Sequence, residues 1–296
     1  MGLKVENVSK HFGNKLAVDN LSFEISEPGV FGLLGTNGAG KSTTIRMMLG
    51  IYKKDSGNIT WNGKPVERKN VNFGYLPEER GIYPKIKIVD QLRYFAELKG
   101  IKKEEADKEI DYWMSRLKVE EYKNLTAEKL SKGNQQKIQF ITAILHNPDL
   151  IVLDEPFSGL DPVNTEILKG VIMELVEKGK YIVMSSHQMS SIEEFCSNVI
   201  IINKGKTVLK GNLNDIKNSY PANNVEITTD RDITAEIEKE NLVIEKNIDN
   251  NYIIKIDNEE QAYKLINKLV TSNVKVSKFE VKRPSLNDIF IEKVGE

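Results

Sequence analysis

Residues 35–43 read Gly-Thr-Asn-Gly-Ala-Gly-Lys-Ser-Thr, and this stretch decides the fold. It matches the phosphate-binding loop G-x-x-x-x-G-K-[ST], in which backbone N–H groups converge on a polyphosphate. The apolar run 30–34 before it predicts a buried strand, and the segment 42–49 after it predicts a helix. A strand, a glycine-rich loop and a helix N-terminus form the context that a nucleotide-binding loop needs, because the helix dipole adds positive potential at the phosphates.

The side chains of this loop predict how a nucleotide and its metal would be held. Lys41 is expected to reach the β- and γ-phosphates, and the Ser42 hydroxyl is a candidate ligand of Mg²⁺. The other loop residues expected to contact the nucleotide are Gly35, Thr36, Asn37, Gly38, Ala39, Gly40 and Thr43. For the loop taken alone, the alternative is a glycine turn that binds nothing, since four fixed positions can match by chance.

A second motif, Leu-Ile-Val-Leu-Asp-Glu-Pro at 150–156, is an apolar run that ends in two carboxylates. Such a run is typical of a strand buried on both faces of a parallel sheet, and ligands bind at the carboxyl ends of these strands. Asp154 is expected to hold Mg²⁺ through its water shell, and Glu155 to orient and deprotonate the attacking water. The alternative is a pair of solvated acids at a strand end.

Between these motifs, residues 130–137 read Leu-Ser-Lys-Gly-Asn-Gln-Gln-Lys, which resembles the L-S-G-G-Q signature of the ATP-binding-cassette (ABC) ATPases. The order of phosphate loop, signature and Asp-Glu strand also matches that family. Residues 158–161, Ser-Gly-Leu-Asp, look like its D-loop, and 185–187, Ser-Ser-His, look like its switch-histidine segment. Phe12 stands where the family keeps an aromatic ring that stacks on adenine. The resemblance covers residues 3–220, approximately.

The resemblance implies an active site that is shared between two subunits. Ser131 and Gly133, at the start of a predicted helix 131–145, would face the γ-phosphate of ATP held by a second cassette. His187 would contact the γ-phosphate, and Asp161 would take part in nucleotide binding through the D-loop. Two copies of the chain are therefore expected to meet head to tail as a homodimer.

The chain departs from the family pattern in two places. The signature has Lys132 and Asn134 where the family usually has Gly and Gln, while Ser131 and Gly133 are kept. Glu78 stands where the family commonly carries Gln, and both an amide oxygen and a carboxylate can bind Mg²⁺ or water. Glu78 is therefore a predicted metal ligand, and its added charge leaves open how turnover depends on pH and metal.

The loop 78–88 that begins at Glu78 mixes charge with Ile82, Tyr83 and Ile86. Two interpretations are open. The apolar side chains pack back against a helical subdomain, or, as the resemblance implies, they line a groove for a short helix of a membrane-spanning partner.

Composition narrows the class of protein. The chain has 296 residues, 40% of them hydrophobic, and a net charge of −1, which argues against a nucleic-acid partner. No run approaches 18 apolar residues, and the N-terminus lacks the apolar region of a signal peptide. A single cysteine, Cys196, fits a reducing cytosol. We therefore expect a cytoplasmic chain that needs a separate membrane-spanning partner for any membrane role. The resemblance to ABC transporter subunits implies a peripheral location at the inner face of the cell membrane.

Two domains are predicted. Residues 1–218 would form the nucleotide-binding domain, with a helical subdomain at about 85–145. Within it, residues 89–129 are predicted to be helical with a break at Gly100. Turn-forming residues at 219–224 predict a boundary after this domain.

Residues 225–296 are predicted to form a small accessory domain. Their patterns follow the order β-α-β-β-α-β, which is the ferredoxin-like arrangement, and Ser285 with Asp288 predicts the cap of a last helix. This tail resembles the C-terminal extension of ATPase subunits from bacterial sodium-extruding and drug-exporting systems. With no catalytic constellation in it, a dimerisation or packing module is favoured over a regulatory ligand site.

These motifs predict an α/β fold, a P-loop NTPase of the ABC type with a mixed sheet and a helical subdomain, followed by a small α+β ferredoxin-like domain. The predicted function is the ATP-binding and ATP-hydrolysing subunit of an ABC exporter, powering an integral membrane permease. One alternative is a soluble ABC ATPase acting on ribosomes or in DNA repair. Another is an ATP-binding regulatory module without turnover, against which Glu155 and His187 argue.

Overall fold

The computed structural model describes residues 2–67, 71–79, 81–187 and 189–295. The chain divides into two compact units, Met1–Gly211 and Asn212–Glu296. This division lies a few residues before the turn-forming stretch 219–224, since the short helix Leu213–Asn218 groups with the second unit.

The elements of the first unit are numbered in chain order. Its strands are β1 (Leu3–Phe12), β2 (Lys15–Ile25), β3 (Gly29–Leu34), β4 (Ser56–Trp61), β5 (Lys64–Pro65), β6 (Phe73–Leu76), β7 (Leu150–Asp154), β8 (Tyr181–Ser186), β9 (Asn198–Asn203) and β10 (Lys206–Asn212). Its α-helices are α1 (Lys41–Met48), α2 (Ile88–Leu98), α3 (Lys103–Arg116), α4 (Lys132–Ile144), α5 (Pro162–Glu177) and α6 (Met189–Phe195).

A six-stranded sheet in the order β10-β9-β3-β8-β7-β6 forms the centre of this unit. Strands β3, β6, β7, β8 and β9 pair in parallel, and β7 is buried along its whole length, as its continuous apolar sequence predicts. Because parallel strands end at the same edge, the loops after β3, β6, β7 and β8 lie at one edge of the sheet. This convergence positions the candidate site.

A second, antiparallel sheet in the order β2-β1-β4-β5 shares a hydrophobic core with the first. The core joins Val5 and Phe23 of this sheet to Ile45 of α1 and to Val152 and Val183 of the parallel sheet. The helix that follows the glycine loop is thereby packed between the two sheets.

Residues 89–129 are less continuously helical in the structure than the sequence pattern predicts. Helix α2 ends at Leu98, and Gly100 provides the break with a φ of +81°, a conformation that glycine adopts without strain. After α3 the chain forms only two 3₁₀ turns, Glu120–Tyr122 and Ala127–Lys129, before α4 begins.

The second unit begins with α7 (Leu213–Asn218) and continues with β11 (Asn224–Thr229), α8 (Thr234–Lys239), β12 (Val243–Ile248), β13 (Asn251–Lys255), α9 (Glu259–Thr271), β14 (Val276–Lys282) and α10 (Leu286–Gly295). Its sheet has the order β12-β13-β11-β14 with all pairs antiparallel, which is the ferredoxin-like arrangement. The predicted cap of the last helix is present: the Ser285 Oγ accepts from the Asp288 N–H at 3.2 Å, and Asp288 Oδ2 accepts from the Ser285 N–H at 2.9 Å.

None of the helices in the described part of the chain combines the length and the apolar character needed to cross a membrane.

Candidate nucleotide-binding site

A cavity of about 390 Å³ opens at the edge of the parallel sheet where the loops converge. The predicted residues that line it are Phe12, Thr36, Asn37, Gly38, Ala39, Gly40, Lys41, Ser42, Thr43, Glu78, Asp154 and Glu155. The cavity thus brings together the glycine loop, the two carboxylates at the end of β7 and Glu78. The five other predicted residues, Gly35, Ser131, Gly133, Asp161 and His187, lie outside this lining.

Close packing explains two of the loop glycines. Gly35 has a φ of +155°, and a Cβ there would lie 2.2 Å from the Ile202 carbonyl oxygen. Gly40 has a φ of +110°, and its Cβ would lie 2.6 Å from the Ala17 carbonyl oxygen. Because only glycine fits these positions, the loop backbone can lie against β2 and β9 with its N–H groups available at the start of α1.

Lys41 is buried beneath the loop that it is expected to serve. Its Nζ donates to the carbonyl oxygen of Gly35 at 2.7 Å and of Thr36 at 3.3 Å. Burial lowers the pKa of this ammonium, and the negative charges of Glu155 and Asp154 oppose that shift. A partly desolvated cation beside backbone N–H donors is a site for a polyanion.

The two carboxylates at the end of β7 are oriented by the neighbouring strand β8. Parallel pairing places Asp154 beside Ser185, whose hydroxyl donates to Asp154 Oδ1. Glu155 Oε1 accepts the His187 backbone N–H at 2.8 Å and lies 2.7 Å from His187 Nδ1, while Oε2 accepts from the Ser186 hydroxyl at 3.3 Å. The two residues predicted to be catalytic therefore touch each other.

Glu155 also has an unusual backbone conformation. Its φ of +51° is in the left-handed region, which a glutamate seldom occupies. Residues held in this region concentrate at functional sites, where the surrounding structure maintains the strain. The turn directs the carboxylate toward both the cavity and His187.

The signature residues face a different surface. Ser131 is the exposed N-cap of α4, and its hydroxyl accepts from the Asn134 N–H at 3.2 Å. Gly133 packs on the D-loop, since a Cβ there would lie 3.3 Å from the Gly159 carbonyl oxygen. Asp161 caps α5 by accepting the Asn164 N–H at 2.9 Å, and this hydrogen bond lowers the pKa of its carboxyl. The chain's own nucleotide cavity and its signature thus do not meet.

Phe12 offers a flat surface at the rim of the cavity. Its ring is 44% exposed, meets the edge of Tyr52 at a centroid distance of 5.5 Å, and has Lys10 Nζ 5.5 Å from its centroid. A held but exposed ring suits stacking of a planar base.

Sequence reasoning missed two residues of the lining, Lys15 and Ala17. The hairpin that joins β1 and β2 pairs Phe12 directly with Lys15 across a two-residue turn. The Gly13-Asn14 turn signal, together with the prediction for Phe12, could have identified Lys15 as its neighbour.

Comparisons with known proteins found family models and relatives that match this chain. A family model described as "ABC transporter" matches residues 18–158, and one described as "ATP-binding protein DrrA1-3-like, C-terminal domain" matches residues 211–294. The chain is 48% identical over 294 residues, 99% of its length and 98% of the relative's, to an uncharacterized ABC transporter ATP-binding protein, YhaQ, of Bacillus subtilis.

Two other relatives carry names that state a role. The linearmycin resistance ATP-binding protein LnrL of Bacillus subtilis is 33% identical over 72% of the chain and 70% of its own length. A Nod factor export ATP-binding protein of Cupriavidus metallidurans is 29% identical over 73% of each chain. A solved structure described as an ATP-binding subunit of an ABC transporter matches with a TM-score of 0.68 at 29% identity, covering 74% of this chain and 93% of that one.

Proposed function

We propose a function on one premise: this chain belongs to the family of ABC transporter ATP-binding proteins. As a member of that family it binds ATP and hydrolyses it as the ATPase subunit of a transporter, and such subunits work with membrane components. The alternatives acting on ribosomes or DNA repair, or binding ATP without turnover, have no support among the reported relatives. The residue roles, the metal, the dimer and the direction of transport are our proposals.

The nucleotide is held by the loop 35–43, with Lys41 on the terminal phosphates and Phe12 on adenine. The chemistry of the lining supports Mg²⁺: the Ser42 hydroxyl and the Asp154 and Glu78 carboxylates supply oxygen atoms at the phosphate end of the cavity. Bound Mg²⁺ would neutralise phosphate charge during transfer. The described residues contain no group of three or more His, Cys, Asp and Glu side chains arranged to hold a metal alone.

Hydrolysis is assigned to Glu155 as the group that accepts a proton from the attacking water. The observation that carries this assignment is the contact of 2.7 Å between the carboxylate of Glu155, a residue of the cavity lining, and Nδ1 of His187, a residue outside that lining. His187 holds one carboxylate oxygen by its ring and by its N–H, and the Ser186 hydroxyl donates to the other. These contacts orient the carboxylate to accept a proton from a water molecule. Ser185 restrains Asp154 on the adjacent side.

A complete site requires a second copy of the chain. Ser131 is exposed at the N-terminus of α4, where the helix dipole and free N–H groups favour an anion, and it lies outside its own cavity. We therefore propose a head-to-tail homodimer in which Ser131 and Gly133 of one copy contact ATP in the other.

Mixed dimers test this arrangement. Ser131→Arg and Lys41→Ala should each abolish ATP hydrolysis, while monomeric Ser131→Arg keeps nearly normal ATP binding. In a mixture of the two variants, some dimers place both defects in one site and leave the other intact, so turnover should reappear if one intact site can act alone. ATPase activity of Ser131→Arg near the wild-type value would exclude this residue from the shared site.

The membrane partner is proposed to bind beside the loop 78–88, of which Arg80 lies outside the described residues. Ile82 is half-buried, whereas Tyr83 is 48% exposed and stacks on Phe95 of α2 at a centroid distance of 6.2 Å. The exposed apolar side chains here, which we call the partner surface, are Tyr83, Ile86, Tyr94 and Leu98. Binding of a permease here would place the chain at the inner face of the membrane, and the names of the export and resistance relatives favour an exporter.

The double variant Ile82→Ser, Tyr83→Ser should weaken co-purification with the permease while the isolated chain still folds and binds ATP. Tyr263→Ser, which removes an equally exposed aromatic ring from α9 in the second unit, is the matched control and should leave co-purification unchanged. Equal recovery of the permease with both variants would remove the partner surface from the proposal.

A further inference from the structure

Two buried glutamines outside the nucleotide cavity hold the loop 78–88, and they come from different helices. Gln139 lies on α4 and is 4% exposed, and Gln91 lies on α2 and is 2% exposed. Burying an amide is unfavourable unless its polar atoms are hydrogen-bonded. The hydrogen-bond partners of each glutamine therefore indicate which segment that side chain holds in place.

Gln139 encloses Glu78 from both sides. Its Nε2 donates to the carbonyl oxygen of Pro77 at 3.2 Å and to that of Glu79 at 3.1 Å. Its Oε1 accepts the Gly81 N–H at 3.3 Å. The carbonyl groups of the residues before and after Glu78 are bound by one side chain, which restrains the backbone that carries the Glu78 carboxylate.

Gln91 holds the other half of the loop. Its Nε2 donates to the carbonyl oxygen of Tyr83 at 2.9 Å and to that of Ile86 at 2.8 Å, and its Oε1 accepts the Tyr83 N–H at 2.7 Å. The end of the loop at Glu78 and its part at Tyr83 and Ile86 are thus held by separate helices.

Helix α4 also contacts the loop after β7. Gln136 precedes Gln139 by three residues, so the two side chains lie on the same side of the helix. Gln136 is buried, and its Nε2 donates to the carbonyl oxygen of Pro156 at 3.2 Å, immediately after Glu155. Helix α4, capped by Ser131, therefore forms hydrogen bonds to the backbone beside both Glu78 and Glu155.

We infer that Gln139 is a positioning residue for the Glu78 carboxylate, and that α4 thereby links the signature to the metal-facing end of the loop. This inference rests on the proposed role of Glu78 toward Mg²⁺. Gln91 has the same chemistry and burial but contacts the other half of the loop, so it is excluded from this role and serves as the matched control.

The test measures the Mg²⁺ concentration that gives half-maximal ATP binding. It uses the full chain with Glu155→Gln, which is expected to slow turnover. Gln139→Met keeps the length of the side chain and removes its hydrogen bonds. It should raise this concentration by about tenfold, the lower end of losses seen when outer partners of a metal ligand are removed. ATP binding without Mg²⁺ should change less than about twofold, and Gln91→Met should leave the Mg²⁺ requirement within the same range.

A double-mutant cycle separates positioning from general packing. Glu78→Ala should itself raise the Mg²⁺ requirement, and adding Gln139→Met to it should then have no further effect, because the positioned group is gone. No effect of Gln139→Met on a chain that keeps Glu78, or an equal effect with and without Glu78, would overturn the inference while the metal role of Glu78 stands.

If Glu78→Ala leaves the Mg²⁺ requirement unchanged, the metal role of Glu78 fails and the inference with it. Thermal unfolding of each variant checks the fold. Should Gln139→Met not fold, Gln139→Asn replaces it, since the shorter amide cannot span both carbonyl groups, and the same outcomes apply.

Discussion

Glu155 in the first unit and Glu226 in the second are both buried carboxylates with 8% exposure, and their partners differ. Glu226 lies within β11 and forms ion pairs with Lys278 at 2.8 Å and with Lys282, and it also accepts from the Asn251 amide. The partners of Glu155 are the hydroxyl of Ser186 and the ring and N–H of His187.

The difference is the one expected between a structural charge and the proposed catalytic one. Two lysines neutralise Glu226. Their hydrogen bonds, of which that from Lys278 has the largest effect, lower the pKa of this carboxyl to about 2. Glu155 and Asp154 instead share their cavity with a single buried lysine, Lys41, which donates to backbone carbonyl groups. Hydroxyl groups and a histidine, rather than an ion pair of the kind that holds Glu226, orient Asp154 and Glu155, and we propose that their charge at the cavity wall serves a metal and a nucleotide.

We expect the greatest change from a substitution of Glu155, the proposed catalytic carboxylate. Glu155→Gln keeps the shape and removes the base, so ATP turnover should fall by at least ~10²-fold, the scale of general-base catalysis, while ATP still binds. Steady-state ATPase rates and ATP binding measure the two properties. Glu226→Gln is the control and should keep wild-type turnover, and a Glu155→Gln rate near wild type would remove Glu155 from the mechanism.

A moderate effect on the free energy of unfolding is expected at Glu226, the structural carboxylate. Glu226→Gln should lower the free energy of unfolding at pH 7 by about 1 kcal/mol, a value limited by solvent screening because both lysines are more than one-third exposed. The folded pKa of about 2 lies below the ordinary 4.5, so the ion pairs stabilise the fold above about pH 4.5 and this contribution is lost as the pH falls toward 2.

Urea unfolding of the full chain and of Glu226→Gln, followed from pH 7 down to pH 3, measures this contribution. The difference between the two chains should shrink as the pH falls. A difference that stays constant over this range would show that the carboxylate charge is not what stabilises β11.

A weaker effect on ATP binding is expected at Lys15, on the rim of the cavity. Lys15 lines it as an exposed lysine, so Lys15→Met should weaken ATP binding only about two- to fivefold, and less at high salt. Titration with a fluorescent ATP analogue at two ionic strengths measures the change. Lys103→Met, which removes an exposed lysine outside the lining, is the control, and equal binding by both variants would leave Lys15 without a role toward ATP.

Much of the candidate site could be predicted because its motifs are local in the chain. The proposed phosphate donors of the loop 35–43 are consecutive backbone groups, and the apolar run 150–154 predicts both the strand and the edge where its carboxylates emerge. The helical prediction for 89–129 was too continuous, since helical periodicity does not reveal the two 3₁₀ turns after Arg116.

Sequence alone was sufficient to predict the strand, glycine-rich loop and helix around residues 30–49, the order of the elements from β11 to α10 and the cap at Ser285, because each depends on neighbouring residues. Only the tertiary structure decided which groups meet across long separations. Parallel register between β7 and β8 pairs Asp154 with Ser185, and packing of α4 brings Gln139 to Pro77, 62 residues away. Such contacts depend on strand register and helix docking, which follow from burial of the whole core rather than from any local pattern.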